Sequence, residues 1–437
     1  VYLSAGRAAD TAAGVRHPRP RPPRGTPGRR RRGLRRGLRR PAVAGNVITL
    51  GAVSLVTDVS AEMVTALLPL YLVVGLGMSP LAFGALDGLY QGASVLSRLV
   101  GGHLADRARR RKLVAGTGYA LSAGCKLALL AATTPWAVGA VLAADRTGKG
   151  LRTAPRDALI SLSSPDDEQG RAFGVHRAMD TTGALLGPLV AVAVLWAAHD
   201  GYDAVFVVSF CAAALGVVLL MLFVREHSTE RSAALERSRQ PRRQRDALRT
   251  LLRTAGLPRL CLIAGLLGVV TVSDSFLYLL LQRRLDLPAP YFPLLPVGAA
   301  AGFLLLAVPL GRLADRIGRR LVFLAGHGAL LTAYALLLTP WAGGPITAAF
   351  VLILLGAFYA ATDGVLMAAA GPLPPPELKA SGLALVQTAG ALARFAGSLL
   401  FGAAWMYLGP DGALTAAAAG LALALAVVAI LHRRSPA

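Results

Sequence analysis

The chain has 437 residues, 54% hydrophobic and only 16% charged, with a formal net charge of +23. A soluble globular chain is about 25% charged, so a soluble fold of this size is excluded, as is disorder outside the ends. The basic surplus does not indicate a nucleic-acid partner. Arginine and lysine total 46, only four of them lysines, and residues 1–40 hold 13 of the arginines with one acid, Asp10. Cys125, Cys211 and Cys261 all lie in apolar runs, without metal-ligand spacing or a disulfide framework.

Residues 1–42 are of low complexity and lack an apolar run long enough for a signal peptide. They read as a disordered basic cytoplasmic extension, free to touch anionic lipid. A membrane span needs about 20 mostly apolar residues. Twelve stretches qualify, at roughly 46–74, 80–103, 113–133, 136–160, 171–197, 203–224, 258–282, 291–311, 321–340, 345–370, 380–408 and 412–431. The charged stretch 225–257 divides them six and six. The expected fold is therefore an all-α membrane protein of twelve transmembrane helices in two six-helix pseudo-symmetric bundles. The bundles span 43–224 and 258–432, joined by a cytoplasmic linker at 225–257 and followed by a tail at 433–437.

Basic residues fix the orientation. One alternate set of loops, with the C-terminus, carries 22 lysines and arginines, and the opposite set carries only Arg283 and Arg284. Both termini are expected in the cytoplasm and the protein in the plasma membrane.

The halves repeat. Residues 102–106 read GHLAD and residues 311–315 read GRLAD, an offset of 209 from Asp106 to Asp315. The segments GGHLADRARRRK (101–112) and GRLADRIGRR (311–320) resemble the two signature loops of the major facilitator superfamily. The resemblance implies a cytoplasmic gating latch built on Gly102, Asp106, Arg107 and on Gly311, Asp315, Arg316. DRTGKGLRTAPRDALIS (145–161) is similar to the family's fourth-span signature, with Lys149 where many members have Gln. Gly183-Ala-Leu-Leu-Gly187-Pro188 is similar to a fifth-span packing element of its exporters, without the usual Gly-Gly tail. The family implies alternating access between two bundles, with no substrate specified.

Ionisable residues inside hydrocarbon are functional candidates by default. Asp58 and Glu62 stand one turn apart on the first span, and two close carboxylates disfavour double ionisation, which suits proton uptake and release. On the fourth span Arg146, Lys149, Arg152 and Arg156 fall within an arc of about 120°. Arg146 and Lys149 are deepest, with Asp145 beside them. Arg152 and Arg156 are expected to approach the cytoplasm, Arg156 as a solvated end. Lys126, Asp87 with Gln91, and His176, Arg177 and Asp180 complete the first-half set. The second half offers Asp274, Asp363, Gln387 and Arg394, and reads as the more apolar wall, with Asp274 its best site candidate.

ATP-binding and hydrolase signatures are absent, and Thr147-Gly148-Lys149-Gly150 lies inside a span without the spacing of a phosphate loop. The expected protein is a monomeric secondary transporter, not an enzyme, without cofactor or metal. Its partners are a small-molecule substrate, protons and membrane lipid, and not nucleic acid. Proton-coupled efflux of a small organic solute comes first. Proton-coupled uptake of an anionic solute comes second, since Arg146, Lys149 and Lys126 can counter an anion. A receptor or scaffold comes last, for want of a soluble domain.

Overall fold

The computed structural model describes residues 45–90, 111–164, 169–198, 201–225, 244–339, 344–370, 373–375 and 378–433. Nearly all of them are helical. Helix α1 is Gly45–Leu70, α2 is residues 80–90, α3 is Arg111–Ala131, α4 is Pro135–Leu162, α5 is Gln169–Ala197 and α6 is Tyr202–Phe223. A short amphipathic helix, α7, is Gln244–Arg253. Then come α8 at Leu257–Val270, α9 at Asp274–Leu285, α10 at Leu294–Ile317, α11 at Arg319–Leu338, α12 at Pro345–Ala370 and α13 at Lys379–Arg433.

Among the described residues, nine helical stretches are long and apolar enough to cross a membrane. Three features separate that number from the twelve expected. Helix α4 is set apart by its own charge, carrying Asp145, Arg146, Lys149, Arg152, Arg156 and Asp157. Helix α2 is described only to residue 90. The stretch Leu385–Ile430 counts once although Gly409 breaks it at φ 76°, ψ 174°, and Pro410 follows. A positive φ costs glycine nothing, and proline lacks the N–H that would continue the ladder.

Local chemistry sets several boundaries. Thr134 caps α4, its hydroxyl accepting from the Ala137 N–H at 3.3 Å, with Pro135 at the first helical position. Pro69 lies inside α1, and the following residues Tyr71–Gly75 widen into a π turn. The expected linker contains structure: α7 lies within it, and Leu251 is buried against the start of α8.

Glycines let the helices approach closely. A Cβ at Gly183 would run into the Leu55 backbone, and one at Gly187 would come within 2.8 Å of the Val59 carbonyl oxygen. The fifth-span element therefore packs α5 on α1, with Pro188 buried beside it. Gly118 and Gly148 bring α3 onto α4 in the same way, each virtual Cβ 2.7 Å from the other's carbonyl oxygen. Gly148 is thus a packing glycine, not part of a phosphate cradle. Ser60 bridges α1 to α6, bonding the Ser209 carbonyl at 2.7 Å.

Helices α1 and α3–α6 pack mainly among themselves, and α8 and α10–α13 among themselves, while α2 and α9 also reach across to the other set. The two sets meet at the end that carries loops 76–79 and 286–293. There Gly84 and Gly402 face each other, a Cβ on either coming within 3.2 Å of the other's Cα. Phe83, Phe276, Phe401 and Trp405 stack edge to face across the seam, with Phe83 and Phe276 centroids 4.8 Å apart.

Candidate functional site

The charges of α3 and α4 form a web inside the first helix set. Lys126 and Arg146 both bind the buried Asp145 carboxylate, Arg146 at 2.8 Å. The Arg146 guanidinium also lies 4.0 Å from the centroid of the Tyr90 ring. Asp145 thus compensates two cations. Arg152 reaches Asp58 at 3.7 Å and stacks on Tyr119 at 4.5 Å. Arg156 lies 3.6 Å from Asp180, a long ion pair, and donates to Ser54 at 3.1 Å. Arg156 is therefore not a solvated end, and Arg152 is buried rather than reaching for the cytoplasm. His176 bonds Ser54 at 3.1 Å, an interhelical contact between α5 and α1.

Two pairings differ from the helical-face expectation. The carboxyl that faces Asp58 is that of Asp180, from α5, rather than Glu62 one turn away. Two carboxylates so placed repel, and one proton between them turns repulsion into a hydrogen bond. Glu62 and Lys149 make no ion pair within 4 Å among the described residues. Each stays partly open to solvent rather than sealed in the core.

Asp87 joins the two helix sets. Its buried carboxylate accepts from Ser275 at 3.0 Å and from Ser398 at 2.8 Å, side chains of α9 and α13. It is a cross-seam bond beside the glycine contact. Gly102, Asp106, Arg107 and Gln91 lie outside the described residues. Gly311 and Arg316 stand at the C-terminal end of α10, where Arg316 is exposed. The side chains of Asp315 and Asp363 are likewise outside the description.

The cavity lies in the second set. About 230 Å³ in volume, it is enclosed by α8, the start of α9, α11, α12 and α13, with Asp87 entering from α2. Asp274, His327 and Arg394 bring ionisable groups to this cavity, while most of the buried charge among the described residues lies in the first half. The seventh span makes this possible because it is broken. Helix α8 ends at Thr271, which is extended (φ −81°, ψ 109°), and α9 begins after Ser273. The three residues Thr271-Val272-Ser273 free backbone groups at the cavity, as broken helices do at the sites of membrane carriers. Tyr334 steadies the break by accepting the Val272 N–H at 2.8 Å. Asp274, first in α9, takes the Tyr359 hydroxyl at 2.8 Å from each carboxylate oxygen. Phe323, His327, Phe358 and Tyr359 form a continuous aromatic ladder with centroid spacings of 4.7, 5.2 and 5.0 Å. Arg394 completes the lining. It is exposed to the cavity space, and its guanidinium folds back beside Gly390.

Sequence reasoning named Asp274 and Arg394 but missed His327, Tyr359 and the break. Consecutive Thr, Val and Ser before an acid, in an otherwise leucine-rich span, were the available signal.

A polytopic helical membrane protein with ionisable groups around an internal cavity has the features of a solute carrier. The model of the Major Facilitator Superfamily matches residues 50–398 and 275–437, and the chain belongs to that family. An uncharacterized MFS-type transporter of Methanocaldococcus jannaschii is 28% identical over 379 residues, 82% of this chain and 88% of that one. An uncharacterized protein of Mycobacterium tuberculosis is 34% identical over 186 residues, 42% of this chain and 43% of that one. The crystal structure of the nucleoside transporter NupG superposes with a TM-score of 0.77 at 14% identity, over 90% of this chain and 100% of that one. The protein is a multi-pass membrane transporter that moves a small molecule, not an enzyme.

Proposed function

We propose that the protein is a proton-coupled exporter of a small organic solute in the plasma membrane, working as a monomer by alternating access. Two six-helix bundles, 43–224 and 258–432, rock about the mid-membrane cavity. The basic extension 1–42, the linker 225–257 and the tail 433–437 face the cytoplasm, and bilayer lipid surrounds the spans. One observation carries the reading: the helix sets touch at the end bearing loops 76–79 and 286–293, and the ionisable cavity lies inward of that seam. With the basic loops in the cytoplasm, the seam lies at the outward end, and on this reading it marks the outward-closed state that loads from the cytoplasm. The Asp58–Asp180 pair, held between Arg152 and Arg156, supplies a group that changes its partners when a proton arrives. Coupling is assigned to it, with Glu62 within reach.

Uptake of an anionic solute is the second reading. It is favoured by Lys149, which stands on the coupling face without an ion pair within 4 Å among the described residues. A receptor or scaffold function has no soluble domain among the described residues to support it.

Transport into inverted vesicles across a panel of acids, cations and amphiphiles, with internal pH recorded, tests the reading. Export predicts solute accumulation driven by an acidic interior and accompanied by proton loss from it. Accumulation only in right-side-out vesicles favours uptake, and no movement of any solute under either gradient contradicts transport.

A further inference from the structure

We propose that the second-half cavity binds an amphoteric organic solute, one that carries a carboxylate or similar anion, an ammonium-type cation and an aromatic or flat apolar body. The proposal rests on the carrier reading above and names the solute class of that same cavity.

The anion comes first in the argument. Arg394 lies midway along the expected eleventh span, 15 residues after α13 begins. A guanidinium at such depth is costly unless paired or wet. The first-half arginines at comparable depth, Arg146 and Arg152, have acids within 4 Å. Arg394 has no ion pair or hydrogen bond among the described residues, and it faces the cavity. Its five N–H donors suit a planar anion bidentately.

The cation follows from the opposite lining. Asp274 and Asp87 border the same space. Tyr359 holds the Asp274 carboxylate with one hydroxyl across both oxygens, and a carboxylate offers about four acceptor positions in all. A purely anionic solute would meet Arg394 together with two carboxyls. A purely cationic one would meet the acids together with a fixed guanidinium. A solute with both signs satisfies each wall. The body of the solute follows from the ladder of Phe323, His327, Phe358 and Tyr359, whose faces and edges accept a ring. At about 30 Å³ per water, the 230 Å³ holds the equivalent of roughly eight waters, the size of a small ring with two short polar arms.

Three probes of one skeleton test the class: phenylalanine, phenethylamine without the carboxylate, and 3-phenylpropionate without the amine. Binding is measured by calorimetry on the full chain in nanodiscs, with no gradient present. The expected order is the amphoteric probe first, each single-charge probe weaker by about thirtyfold or more, the low end of the cost of removing one partner from a desolvated charge pair. Arg394→Gln is expected to erase the advantage of phenylalanine over phenethylamine, and Arg394→Lys to restore part of it. Asp274→Asn is expected to erase its advantage over 3-phenylpropionate. Equal or tighter binding of either single-charge probe by the parent protein overturns the proposal, as does failure of all three to bind. The parent measurement decides even if a variant does not fold. Because no transport is read, a failed charge preference leaves the carrier reading standing. A sound preference without movement in vesicles would count against transport alone.

Discussion

Helices α3 and α4 carry five basic residues at membrane depth and settle four of them in ion pairs within their own helix set. At the second-half cavity Arg394 faces open space with none among the described residues. The two regions handle the same problem, a cation in a poorly solvating medium, in opposite ways. Where acids of neighbouring helices can reach, charge becomes structure. Where they do not, the charge remains available to a passing solute. Charge density along a span therefore says little about where a solute sits, and the accounting of partners says more.

The comparison breaks most visibly at Asp145. Removing its charge leaves Lys126 and Arg146 buried with no anion. Breaking a buried pair by removing one partner costs about 3–5 kcal/mol, and Asp145→Asn is expected to lose most of the folded yield, read by size-exclusion profile and thermal unfolding in detergent. A variant as stable as the parent would mean that the web is not structural.

The seam comes next. Asp87 accepts two serine hydroxyls across it, and hydrogen bonds to a charged group contribute about 1.5–3 kcal/mol each. Asp87→Ala should raise the labelling rate from outside of a cysteine at Leu81, in a Cys-free background, by about tenfold or more. Cysteines at Ser79 and Gly344 should label in both proteins, and one at Ala255 only after permeabilisation. The inverse pattern would reverse the orientation.

The smallest effect belongs to Lys149. With no ion pair to lose, Lys149→Gln should change stability by less than about 1 kcal/mol, and Glu62→Gln should not rescue it. A large loss of yield restored by Glu62→Gln would show an acid pairing that the geometry does not contain.

The helical membrane class and the close glycine packing of the fifth span were legible because each is written in local runs or helical spacing, whereas the positions of Arg152 and Arg156 were not. The partners were not. Asp58 and Asp180 stand 122 positions apart, and Asp87 and Ser398 stand 311 apart. Helical periodicity assigns a face but not the neighbour opposite. Asp58 and Glu62 share a face, yet tilt and the Gly183–Gly187 contact bring α5 against it, and Asp180 with it. The break at Thr271-Val272-Ser273 was masked for a different reason. Its composition is still apolar enough to continue a span, so the Thr-Val-Ser-Asp run was a weak signal beside the loss of backbone pairing.

The central claim is a division of labour, with coupling in the first-half carboxyl pair and solute recognition at the second-half arginine. Proteoliposomes loaded with labelled phenylalanine allow both to be read on one preparation, as exchange without a gradient and as accumulation driven by a pH gradient. Asp180→Asn should depress gradient-driven accumulation far more than exchange, whereas Arg394→Gln should depress both together. Parent-like exchange by Arg394→Gln, or parent-like accumulation with unaltered pH dependence by Asp180→Asn, would contradict the account.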